Sequence, residues 1–179
     1  RPAGFRSAPG SGHALDRLRR TSPARPANVT GGGKSVVAAA GQAAVHVPVD
    51  PATFDIPMTP LLHRLQGEWA ATELVRDGEA MPSDWLSFGS RSMTGNEVKV
   101  VFGGQRMVHA KVRIDESAAP AAVDYLILSG AHKGKVSLGI MEWIGDDVRF
   151  LMETPGKPRP TAFSCERGSG RTLSAWRKR

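Results

Sequence analysis

From residue 61 onward, apolar and polar positions alternate in short runs, with Gly- and Asp-rich breaks between them. The cleanest run is 106–115, where Val108, Ala110, Val112 and Ile114 alternate with Met107, His109, Lys111 and Arg113. A period of two with one apolar side describes a strand that is buried on one face and wet on the other. The same pattern predicts strands over 68–75, 90–94, 97–102, 123–128, 135–143, 148–152 and 171–178. Asp77-Gly78, Gly95-Asn96, Gly103-Gly104 and Gly145-Asp146-Asp147 supply the turns. Ahead of the first strand, Leu61, Leu62 and Leu65 share one side of a single helical turn over 61–66. Residues 82–86 read as a short helical or loop segment with a buried indole, Trp85. Some eight short antiparallel strands in a meander predict an all-β fold. An eight-stranded up-and-down barrel removes both sheet edges and leaves an interior for packed side chains or one small ligand.

The pattern stops near residue 60. Residues 1–60 hold 8 of the 13 prolines and none of the four tryptophans. Such composition buries too little apolar surface to offset chain entropy, so 1–60 is expected to be an irregular tail or linker. Residues 13–20 are expected as a basic helical turn. Residues 35–49, with their alternating valines, are expected either as a linker or as short strands added to the barrel or to a partner chain.

The net charge of +7 shrinks in importance once it is located: residues 1–60 carry seven basic and three acidic side chains, while 61–179 carry 17 and 14. The folded part is only mildly basic, and specific nucleic-acid binding is not expected. No stretch is long and apolar enough for a membrane span, and the Pro/Gly-rich start shows no apolar leader core. A lone cysteine, Cys165, cannot form an internal disulfide and fits a cytoplasmic location.

The barrel region opens on Leu65-Gln66-Gly67-Glu68-Trp69, followed by Asp77-Gly78, Asp124, Lys133-Gly134-Lys135, Leu138-Gly139-Ile140, Gly145-Asp146-Asp147-Val148, a Gly156–Phe163 stretch and Gly168-Ser169-Gly170. In order and spacing these pieces resemble a bacterial lipocalin-like (calycin) domain family that opens on Leu-Gln-Gly-x-Trp. The resemblance covers 61–179. It implies a lipocalin-like barrel, and it brings no agreed activity and no assigned site residues. Trp143 departs from the smaller residue the family pattern suggests. In this reading Gly67, Trp69 and Arg177 are structural: the Trp69 ring plugs the barrel floor and Arg177 stacks on it.

Catalytic signatures are missing. No nucleophile elbow, phosphate loop or dinucleotide fingerprint occurs, and no His or Cys pair has metal-ligand spacing. No metal and no cofactor are expected. Cys165 is expected to be a buried structural thiol. Four residues could carry a proton: Glu73, read onto the face of Trp69, Ala71 and Val75; Glu142, on the face of Leu138 and Ile140; Glu153; and His109, among Lys111 and Arg113. A carboxyl on an apolar inner face would have a raised pKa, with Arg177 as an alternative ion-pair partner. Trp69, Trp85, Tyr125, Met141 and Trp143 are the candidate ligand-binding residues. The leading expectation is binding of a small, largely apolar molecule in the cavity. The alternatives are a cofactor-independent isomerase, cyclase or lyase on a hydrophobic intermediate, and a protein–protein module whose N-terminal tail adds a strand to a partner.

Overall fold

The computed structural model describes residues 49–179; the turn expected at 13–20 and most of the 35–49 segment lie outside them. Two short helices and nine strands follow in order: α1 (Pro60–Arg64), β1 (Gly67–Arg76), β2 (Glu79–Ala80), α2 (Ser83–Leu86), β3 (Gly89–Thr94), β4 (Glu97–Phe102), β5 (Gln105–Asp115), β6 (Ala121–Ile127), β7 (Val136–Ile144), β8 (Asp147–Met152) and β9 (Thr172–Lys178). Each strand from β3 to β9 pairs antiparallel with the next, and β1 pairs with both β3 and β9. Eight strands therefore close into an up-and-down barrel, and the two-residue β2 extends β1 at its far end.

The Leu-Gln-Gly-x-Trp segment earns each of its residues. Thr59 caps α1 by accepting from the Leu62 N–H, and Pro60 sits where its missing N–H costs nothing. Leu62 and Leu65 are buried against the barrel end. The Gln66 amide donates to the Leu62 and Gly95 carbonyls and accepts from the Gly95 N–H, so it clamps α1 to the β3–β4 turn. Gly67 has φ +99°, a left-handed conformation that side chains disfavour. Trp69 then turns into the barrel and closes its floor, 1% exposed. Phe54, in a 3-10 turn over Pro51–Phe54, is fully buried, so ordered packing begins before residue 61.

Arg177 does not stack on Trp69. Trp176 points inward, so Arg177 points outward, where its guanidinium grips Asp147 with two bonds of 2.8 Å. The cation on the Trp69 ring is Lys178, the cross-strand partner of Trp69, with Nζ 5.6 Å from the ring centroid. The neighbouring Trp143 ring carries the Arg64 guanidinium 3.5 Å from its centroid.

The main core fills the barrel, with Val98, Ala110, Val112, Val123, Met141, Val148 and Phe150 among its members. A smaller core lies on the outer wall, where Ile140, Leu151 and Leu173 meet Val75, Phe163 and Cys165. Residues 153–171 run over this patch. They are held there by Arg171 Nε on Glu153 at 2.8 Å, and by Arg159, which reaches Asp124 and the Val123 and Gly139 carbonyls.

Candidate functional site

The two ends of the barrel differ. Trp69, Trp143, Leu62 and Leu65 fill one end, with the two indoles 5.9 Å apart. Toward the other end the interior opens into a cavity of about 700 Å³. That volume lies within the range of small-molecule sites. Val100, Phe102, Val108, Phe150 and Trp176 give it apolar walls. Met81, Trp85, Met107 and His132 stand at its mouth, with Trp85 and Met107 55% and 53% exposed.

At the closed end, α1 lies under β1 and the Gln66 clamp draws the β3–β4 turn against it. At the mouth, the longer segments 77–88, 128–135 and 153–171 contribute lining residues such as Met81, Trp85, His132 and Pro155. Small residues at Gly89 and Gly139 thin the wall from within: a Cβ at Gly89 would lie 2.5 Å from the Phe102 ring, and one at Gly139 would lie 2.5 Å from the Leu151 carbonyl.

Several polar groups of the cavity are already satisfied. Ser137 donates to the Glu153 carbonyl at 2.5 Å, and Trp176 donates to Ser174 at 3.0 Å. Glu153 is held by Arg171 and by the Thr154 N–H. Tyr125 differs. Its hydroxyl accepts from Arg91 Nη1 at 2.8 Å, and among the described residues it has no acceptor for its own proton.

The sequence-predicted residues divide sharply. Tyr125 and Trp85 line the cavity, but Trp85 is an exposed rim residue, not the buried indole expected for 82–86. Trp69, Met141 and Trp143 belong to the packed end and do not line the cavity. Glu73 is exposed. A β-bulge between Ala71 and Glu73 breaks the alternation, so Leu74 turns inward instead. Glu142 is on the outer wall, ion-paired with Arg149 across the β7–β8 register. His109 borders the cavity, but its Nε2 is engaged by Glu97, 2.5 Å from Oε1. That contact, aided by Lys99, holds the Glu97 carboxyl below the usual carboxylate range. None of the three has the desolvated inner setting that proton transfer to a cavity ligand requires. The Cys165 thiol is half-buried and points at the Arg171 and Val75 carbonyls.

Sequence reasoning missed Arg91. It lies between Ser90 and Ser92 in a strand whose Met93 faces the core, so its parity with Met93 was the available signal. A second, outer cleft of about 570 Å³ contains Arg113, Asp124 and Arg159. Asp124 accepts from both guanidiniums, at 2.7 and 2.5 Å, and with Asp115 on the same lining the cleft holds two charges of each sign. Among the described residues, no three His, Cys, Asp or Glu side chains converge to hold a metal, and no helix is long and apolar enough to cross a membrane. Compared with known proteins, the chain matches no family model, no curated protein and no solved structure.

Proposed function

We propose that the barrel is a binding module for a small, largely apolar molecule. The observation that carries this reading is the cavity of about 700 Å³, apolar-walled, packed shut at one end and open at the other. Burying an apolar ligand there would release water from exposed lining surfaces such as Trp85 and Met107, at roughly 25 cal/mol per Å² of apolar area. The proton-transfer alternative has less support, because Glu73 is exposed, Glu142 is ion-paired with Arg149, and the two candidates that border the cavity are already engaged, His109 by Glu97 and Glu153 by Arg171. The Leu65–Trp69 motif supports, as part of the same proposal, placing the barrel among the bacterial lipocalin-like domains. The single cysteine supports a cytoplasmic setting.

A direct test uses N-phenyl-1-naphthylamine, an uncharged dye whose emission rises in apolar surroundings. Saturable one-to-one binding is expected, with energy transfer from Trp176 to the dye. Val100→Trp would fill the cavity from its wall and should weaken binding at least tenfold while the circular dichroism stays unchanged. Equal dye binding by that folded variant would overturn the reading.

A further inference from the structure

Arg91 is 1% exposed inside the barrel. Its cross-strand partners are Trp69 of the closed end and Val100 of the cavity wall, so it sits at the boundary between packed floor and open cavity. A guanidinium carries five N–H donors. Here Nη1 donates to the Tyr125 hydroxyl, Nη2 meets only the Met93 sulfur at 3.9 Å, and Nε has no partner. Its plane lies 4.1 Å from the Phe150 ring centroid, which offsets part of the lost hydration. Among the described residues, no carboxylate pairs with it, although Asp124, Glu142, Glu153 and Asp147 all have arginine partners. A buried charge left unpaired is costly, and the few that persist have a counterpart to meet.

Tyr125 links this charge to the cavity. Its hydroxyl oxygen is committed to Arg91, so its proton is free to be donated, and the adjacent cation strengthens it as a donor. Tyr125 lines the cavity. Among the cavity's polar groups described above, it offers a donor with no internal acceptor.

Resting on the reading that the cavity holds an apolar molecule, we propose that this molecule carries a carboxylate. The carboxylate accepts from the Tyr125 hydroxyl and supplies the missing counter-charge to Arg91. Its apolar body lies along Phe102, Val108 and Trp176, and its far end points toward Trp85 at the mouth. The mouth has charges of both signs, Arg76 against Asp77, so it neither draws in nor repels an acid strongly. Selection for the acid rests on the interior.

The test is calorimetric titration of the full chain with decanoate and with 1-decanol, matched in length and kept below micelle formation. Decanoate should bind at least tenfold more tightly than decanol at neutral pH. In Tyr125→Phe, and in Arg91→Met, that preference should fall to within about twofold while decanol affinity is kept. Equal affinity for the two in the wild type would overturn the carboxylate assignment and leave the apolar reading standing. Binding of neither would overturn both. If Arg91→Met does not fold, Tyr125→Phe decides alone, since it keeps the ring and removes only the hydroxyl; an undiminished acid preference in the folded variant would overturn the assignment.

Discussion

Trp69 donates its indole N–H to the carbonyl of Leu65 at 2.9 Å, so the plug of the barrel is tied to the helical turn that precedes it. Three residues stand between the two, and Gly67 supplies the bend. Trp69→Ala should therefore remove both a buried ring and this tie, at about 3–5 kcal/mol. Trp69→Phe keeps most of the packing but orphans the Leu65 carbonyl, and should cost about 1–3 kcal/mol. Urea denaturation of the two variants should show this order.

Lys178→Met offers a contrast at the same place. The lysine lies over the outside of the Trp69 ring, and an exposed cation–π contact is worth only about 0.5–1 kcal/mol. A loss well above that in the same denaturation assay would show that Lys178 does more than cover the ring.

Gly139→Ala should destabilise the barrel by roughly 1–3 kcal/mol through overpacking. The added Cβ would come 2.4 Å from the Met152 sulfur and 2.5 Å from the Leu151 carbonyl. The sulfur can swing away, but the carbonyl is part of the β7–β8 ladder. A melting temperature equal to wild type would show that the ladder can open at this point without cost.

Asp124→Asn should cost about 2 kcal/mol. That is less than for a fully buried pair, because Arg113 and Arg159 keep some contact with water. The expected signature is local as well as global. Residues 155–165 should exchange their amide hydrogens faster, because Arg159 then holds that segment only through the Val123 and Gly139 carbonyls.

The Glu97–His109 contact sets a pH dependence. The hydrogen bond from His109 is the largest cause of the lowered Glu97 pKa. A carboxyl lowered on folding adds stability above its unfolded pKa and loses it as the pH falls through the folded value. The contribution should thus be present at neutral pH and fade on acidification below the usual carboxylate range. It should stay under about 1 kcal/mol, because the pair is partly exposed. Carboxyl carbon NMR should give a Glu97 midpoint that moves up toward the usual range in His109→Ala.

Strand positions were legible because a period of two survives wherever a strand has one wet face. The 106–115 run, 105–115 in the structure, shows this directly. The side on which a residue lands was less legible. One bulge between Ala71 and Glu73 reversed the parity of the rest of β1, and nothing in Ala-Thr-Glu announces a bulge. Arg177 failed for a simpler reason: placing it inward put Trp176 outward, whereas the larger apolar ring takes the core. Arg91 was hidden by its own chemistry, since a charge flanked by serines reads as a wet strand. The cavity itself depends on which of Trp69, Trp143 and Trp176 crowd the same end, a matter of register across distant strands.

The outer core beneath residues 153–171 makes the barrel mechanically lopsided. Strands β7 to β9 are pinned on both faces, by the interior on one side and by Phe163 and Cys165 on the other. The outer faces of β4 and β5 instead present Lys99, His109 and Lys111. Openings of a folded chain concentrate where few apolar contacts must break. A vessel braced along one wall flexes at the other, so any widening that the proposed guest requires would fall to β4, β5 and the Gly103-Gly104 turn between them. That turn lies at the mouth end of β4, and Phe102 and Val100, which lead from it along the strand toward Arg91, are the side chains that any such flexing would shift first.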